Sequence, residues 1–164
     1  MLDSLWLVHP DDDARAAFTK RFAGLPNVRV VRGRFEDLEP HDCLVTAGNA
    51  FGLMRRVQHR IMDEFWGEQP VGTAFVVPTG DPALPFVCHA PTMRVPGSID
   101  GTDKVYAATW AALLAVAAHN RAGGPRIGVV ALPAMGTGFV GVAFSEAARQ
   151  MAAAYRHLLD PPHR

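Results

Sequence analysis

Ile127-Gly128-Val129-Val130-Ala131 and the residues after it, Leu132-Pro133-Ala134-Met135-Gly136-Thr137-Gly138-Phe139-Val140-Gly141, form the stretch whose reading decides the fold. The apolar run predicts a buried strand. The loop behind it carries three glycines in six residues and leads to Ser145 and an alanine-rich amphipathic run, which predicts a helix. Glycines admit positive φ and let a ligand approach the main chain. Bare N–H groups beside a helix start make an anion site. The stretch therefore reads as a phosphate-binding loop, or as a tight turn that needs glycine for geometry alone.

The chain of 164 residues is expected to form one domain over 1–160, with a frayed tail at 161–164. Lys and Arg total 16 and Asp and Glu total 16, so no global field favours nucleic acid. Cys43 and Cys88 sit in apolar runs and read as reduced core residues of a cytoplasmic protein. The histidines are scattered and no metal-ligand spacing occurs, so neither metal nor cofactor is expected. No basic leader and no membrane-length apolar run are found, and a monomer is expected.

Strands and helices alternate along the chain. Ser4–His9 predicts a first strand, and Pro10 with Asp11, Asp12 and Asp13 starts a helix carrying Ala14, Ala17, Phe18, Arg21 and Phe22. Val28 to Arg32 predicts a second strand, and Gly33-Arg34-Phe35-Glu36-Asp37 a polar turn. Asp42 to Thr46 predicts a third strand, which exits into Ala47-Gly48-Asn49-Ala50-Phe51-Gly52. Asn49 there can bond a sugar hydroxyl or orient water, or simply bond its own backbone in a turn. Met54, Val57, Ile61 and Phe65 recur at helical spacing. Gly72–Val77 and Leu84–Ala90 predict two strands around a turn at Gly80-Asp81-Pro82. His89, at a strand end, reads first as a structural histidine. Thr102 is expected to cap a helix burying Val105, Ala108, Ala112, Leu113 and Val116, and the last helix buries Ala148, Met151, Ala152, Tyr155, Leu158 and Leu159. The alternation predicts a three-layer α/β/α sandwich with a mixed, mostly parallel central sheet. Three strand exits hold polar or glycine-rich residues: Asn49 with Gly52, Thr92 with Arg94, and Gly136 to Gly141. Ligands of such folds bind at carboxyl ends of strands, so the three together suggest one elongated phosphorylated ligand.

These pieces resemble the macrodomain family, the ADP-ribose-binding module. The resemblance rests on Thr46 to Gly52, Pro70-Val71-Gly72-Thr73-Ala74, Val87-Cys88-His89-Ala90-Pro91-Thr92 and Leu132 to Gly141, in that order, and runs from about Val28 to the final helix. Ala47 to Met54 and Ala90 to Pro96 are similar to a bacterial and phage branch. The resemblance implies a cleft for ADP-ribose. Gly136, Thr137, Gly138, Phe139, Val140 and Gly141 would hold the diphosphate and distal ribose through backbone N–H groups, with Ala134 and Met135 as further ligand-binding residues. Asn49 would face the distal ribose, where hydrolases of the family place their catalytic water; Ala47, Gly48, Ala50, Phe51 and Thr92 would be further ligand-binding residues, and Arg34 and Phe35 would lie near adenine. Arg34 stands where many members have aspartate, and Glu36 or Asp37 would then serve adenine instead. A glycine-rich run ending in an apolar residue and aspartate usually follows in family hydrolases. Arg55-Arg56-Val57-Gln58-His59 stands there instead, which puts Gln58 in the acid's place. Arg55 and Arg56 would either fork onto phosphate or form a solvated helix start.

Three functions compete on this reading. One is a hydrolase that removes ADP-ribose from a mono-ADP-ribosylated macromolecule, with Asn49 and Gln58 as candidate catalytic residues. Gln58 cannot be a general base, because an amide does not titrate near neutrality. A positioned base contributes roughly 10²–10⁴-fold, so a slow enzyme is expected. The second is a reader that binds ADP-ribose or a nucleotide without turnover. The third is a degenerate fold used only for protein contacts, against which the intact Gly136–Gly141 loop argues. Survival of Asn49 and that loop favours the hydrolase.

Overall fold

The structure is a computed structural model that describes residues 1–52 and 54–162, so Leu53 and the end of the expected tail lie outside the described residues. Strands β1 (Ser4–His9), β2 (Val28–Arg32), β3 (Cys43–Thr46), β4 (Phe75–Asp81), β5 (Leu84–His89) and β6 (Val129–Leu132) alternate with helices α1 (Asp12–Arg21), α2 (Arg55–Phe65), α3 (Lys104–Arg121) and α4 (Phe144–Leu159). They form one six-stranded sheet in the order β2-β1-β6-β3-β5-β4. Every pairing is parallel except β4 with β5. This is the expected mixed α/β sandwich.

The period-2 alternation of side chains assigns residues to the two faces. Leu5, Leu7, Cys43, Val45, Phe86, Cys88, Val130 and Leu132 point to the face covered by α1, α3 and α4. That face carries the main core, including Phe18, Val105, Leu113, Val116, Met151 and Tyr155. Burying each large apolar side chain contributes about 1.5–3 kcal/mol. The opposite face is covered unevenly. α2 sets Val57 and Ile61 on Phe75, Val77 and Val87 at one end. Over Trp6, Val8 and Ala131 the cover is the segment after β2, which supplies Phe35 and Leu38. Arg29 lies 5.0 Å over the Trp6 ring and His41 stands 5.5 Å from it. A single 3-10 turn over Phe35–Asp37 and its flanking loop, not an α-helix, therefore roof this part of the sheet.

Local chemistry explains most boundaries. The Asp11 carboxylate accepts from the Asp13 N–H at 2.8 Å and caps α1. Trp66 takes the left-handed conformation that ends α2. Both cysteines are free and buried, and burial pushes the Cys43 thiol up to about 12. Four expectations need correction. Met54 precedes α2 and is 41% exposed, because the helix starts one residue later and its inner stripe begins at Val57. β4 begins at Phe75 rather than Gly72 and runs through Gly80 to Asp81, since the hairpin closes over Asp81–Leu84. Asp103, without a side-chain cap bond, precedes α3, while the Thr102 hydroxyl accepts from Lys104 N at 3.4 Å and donates to Ile99 O. Leu158 and Leu159 are only half-buried, because α4 emerges from the core at its end.

Candidate functional site

β1, β6 and β3 end side by side at His9, Leu132 and Thr46. A groove with two chambers opens over these ends. One chamber, of about 430 Å³, is lined by Thr46, Ala47, Thr92, Met93, Pro133, Ala134, Gly136, Gly138, Phe139 and Val140, with Phe35, Leu44 and Val45 beneath. The other, of about 340 Å³, is lined by Val8, His9, Pro10, Gly33, Arg34, Phe35, Glu36, Pro133, Ala134, Thr137 and Gly138. Phe35, Pro133, Ala134 and Gly138 belong to both, so the two are one elongated cleft.

The glycines of the Gly136–Gly141 loop do different jobs. Gly136 has φ +73° and Gly141 +78°, so both are required by the backbone. A Cβ on Gly136 would also lie 2.8 Å from Val105 Cγ2. Gly138 lacks the positive φ, and a Cβ there meets nothing within 4 Å. Nothing in the fold demands glycine at 138, yet it lines both chambers. The loop turns on Thr137 N to Ala134 O, Gly141 N to Gly138 O and Val142 N to Gly136 O. Among the described residues, the N–H groups of Gly138, Phe139 and Val140 have no hydrogen-bond acceptor. Ala143 then starts α4 without a side-chain cap, leaving the positive end of the helix beside the loop. Free consecutive amides of this kind form an anion cradle.

The β3 exit is organised differently. Asn49 bridges to Met93, and its Oδ1 accepts from Phe51 N at 3.0 Å. The carboxamide oxygen is thus a turn acceptor, and Nδ2 has no partner among the described residues. Gly48, Asn49, Ala50 and Phe51 do not line the chamber, although the bridge to Met93 sets Asn49 next to one of its lining residues, and Met135 is fully buried. Gln58 is exposed on α2, and its Nε2 donates to Gly52 O at 3.3 Å. Arg56 donates to Pro78 O at 2.8 Å, on the edge of β4, whereas Arg55 is exposed without a partner among the described residues. Of the residues singled out from the sequence, the cleft gathers Arg34, Phe35, Ala47, Thr92, Ala134, Gly136, Thr137, Gly138, Phe139 and Val140. Gly48, Asn49, Ala50, Phe51, Arg55, Arg56, Gln58, Met135 and Gly141 are not on its wall.

His9, Pro10, Leu44, Met93 and Pro133 line the cleft and were not singled out from the sequence. His-Pro after an apolar strand was the available signal for the first pair. The His9 Nδ1 accepts from Asp11 N at 3.0 Å, which leaves the Nε2–H of the neutral ring as a donor. Burial lowers its pKa. His89 is 3% exposed, and burial pushes its pKa down to about 4, so it is neutral near pH 7. Among the described residues, no group of His, Cys, Asp and Glu is placed to hold a metal. No described helix is long and apolar enough to cross a membrane.

A mixed, mostly parallel α/β sandwich with free loop amides at its strand ends is an architecture common among nucleotide-binding modules. The family model described as Macro domain matches residues 47–151, and the chain belongs to that family. An uncharacterized protein of Aquifex aeolicus is 32% identical over 136 residues, covering 76% of this chain and 78% of that protein. An uncharacterized protein of Aeropyrum pernix is 34% identical over 114 residues, covering 68% of this chain and 57% of that protein. The macrodomain of Mycobacterium tuberculosis DarG is similar in structure, with a TM-score of 0.60 at 19% identity over 79% of this chain and 90% of that one. That likeness concerns the fold.

Proposed function

We propose that the chain binds ADP-ribose along the two-chambered cleft. One observation carries this reading: Gly138 is free of any backbone need for glycine, lines both chambers, and carries the first of three consecutive amides without an acceptor among the described residues. A diphosphate there receives charge-assisted bonds from Gly138, Phe139 and Val140. The adenosine half then occupies the chamber of His9, Arg34, Phe35 and Glu36. The distal ribose enters the chamber of Thr46, Ala47, Thr92 and Met93.

The activity proposed for that site is slow release of ADP-ribose from a mono-ADP-ribosylated target. Water attacks the anomeric carbon of the distal ribose while the bond to the target breaks. The water's proton passes to the ligand's own phosphate, and the departing group gains a proton from solvent. Asn49, through Nδ2, orients the water or a ribose hydroxyl. One observation favours binding without turnover as the second reading: no carboxylate or histidine lines the Thr92 chamber among the described residues. Calorimetric titration with ADP-ribose, followed by incubation with ADP-ribosylated substrates of different linkage, tests both. Binding with release supports the hydrolase and binding alone supports the reader. Absence of both binding and release would overturn the assignment of the cleft.

A further inference from the structure

Behind the β3 exit lies a buried polar pair outside the cleft. Gln69 is fully buried, and its backbone N–H donates to Ala50 O at 2.8 Å. Its Nε2 faces two carbonyls, Thr73 O at 3.1 Å and His89 O at 3.4 Å. The amide orientation is thereby set, and Oε1 accepts from His89 Nδ1 at 2.7 Å. The proton of the neutral imidazole therefore sits on Nδ1. The other ring nitrogen, Nε2, is buried without a partner and faces Gly48, where a Cβ would lie 3.3 Å away. The opposite side of the same turn is tied by Ala50 N to Arg94 O at 3.3 Å and Thr92 N to Gly48 O at 3.2 Å.

Burying an amide and an imidazole has a desolvation cost that two apolar side chains would avoid. What the polar pair adds is direction, since a satisfied buried network admits one arrangement. Gln69 and His89 reach the turn at Ala50 and Gly48, the residues on either side of Asn49. We propose that Gln69 and His89 are positioning residues that fix the Gly48–Gly52 turn and, through it, the aim of the Asn49 carboxamide. Their link to catalysis and ligand affinity rests on the ADP-ribose reading given above.

Amide hydrogen exchange and ligand titration on the full chain test the proposal. Gln69→Met keeps the bulk and removes the side-chain bonds. His89→Leu removes the Nδ1 donor, whereas His89→Asn keeps a donor near its place. Gln69→Met and His89→Leu are expected to speed exchange at Ala50, Phe51 and Gly52 by about tenfold or more, as loss of one hydrogen bond implies. Exchange at Leu7 and Leu132 stays as in the parent, and His89→Asn restores slow exchange at the turn. The two loosened variants also bind ADP-ribose about tenfold more weakly, yet bind AMP, which lacks the distal ribose, as the parent does. A generally loosened fold would weaken both ligands. Unchanged exchange at Ala50–Gly52, or equal loss for AMP and ADP-ribose, overturns the proposal. A parent chain that binds no ADP-ribose refutes the proposed function instead, and the exchange comparison still decides the positioning role.

Discussion

Lowering the pH should weaken the fold through His89. The ring is 3% exposed, and burial holds its pKa at about 4 instead of 6.5. Phe75, 6.0 Å away, Gln69 and the Gly48 backbone surround it, and none of these titrates near neutrality. Because the folded value is the lower one, the unfolded chain binds more protons between pH 6.5 and 4. Stability therefore rises with pH through that window and falls as acid is added. Two-state linkage gives a loss of about 2 kcal/mol between pH 7 and 5. For a domain of this size that is roughly 4–8 °C in Tm. His9, lowered by burial, adds to the loss in the same direction. Asp3 and Glu68 are held low by Arg126 and Arg94, and Glu146 falls to about 2 beside Arg149. These carboxylates stabilise the fold above their unfolded values, and that contribution is lost mainly below pH 5. Urea unfolding of the parent and of His89→Asn at a series of pH values isolates the histidine. The variant should lose about 2 kcal/mol less over the interval. Equal losses would show that burial does not suppress protonation of His89.

The loop glycines should separate cleanly. Gly138→Val is expected to leave stability within about 0.5 kcal/mol and to weaken ADP-ribose more than a hundredfold, because losing two charge-assisted bonds costs at least about 3 kcal/mol. Gly136→Ala should instead destabilise by about 2 kcal/mol or more, since it strains a positive φ and presses on Val105; thermal denaturation and calorimetry on both variants would expose a reversed pattern. Asn49→Ser keeps an acceptor for Phe51 N and removes the carboxamide donor, so turnover should fall about tenfold or more while affinity changes by no more than one hydrogen bond, about 0.5–1.5 kcal/mol. Equal rates in variant and parent would confine Asn49 to its turn. Arg56→Ala should not alter ADP-ribose affinity, because its guanidinium sits on Pro78 O, and neither should Arg55→Ala, because Arg55 stands off the cleft wall; a loss of affinity of about tenfold in a titration of either variant would place that arginine at the phosphate.

Apolar strand runs were legible because central strands are buried on both faces, as β1, β6 and the last four residues of β5 show, whereas β3 alternates buried and half-buried residues. The α3 stripe of Val105, Ala108, Ala112, Leu113 and Val116 was legible from its period alone. The cleft was legible in part, since Gly136–Val140, Thr92 and Arg34 could be placed at strand exits. Which glycine needs positive φ could not be read, because that depends on loop path and on neighbours such as Val105 and Ile99. Gln69 gave no signal either: its partners Ala50 and His89 lie about twenty residues away on either side and meet only when β3 and β5 pair. The roofing of Trp6 by Phe35 and Leu38 is likewise a tertiary event, in a segment whose polarity suggested only a turn.

The Arg56–Pro78 contact has a consequence for how copies of this protein behave at high concentration. β4 ends the sheet, so one side of its backbone has no neighbouring strand among the described residues. An unguarded border of that sort invites another chain to add itself, the first step of ordered aggregation. Proline at 78 offers no N–H to a newcomer, and the arginine occupies the carbonyl that remains. A basic residue that attracts notice as a ligand cation thus serves as a guard rail, keeping the sheet from growing beyond its sixth strand.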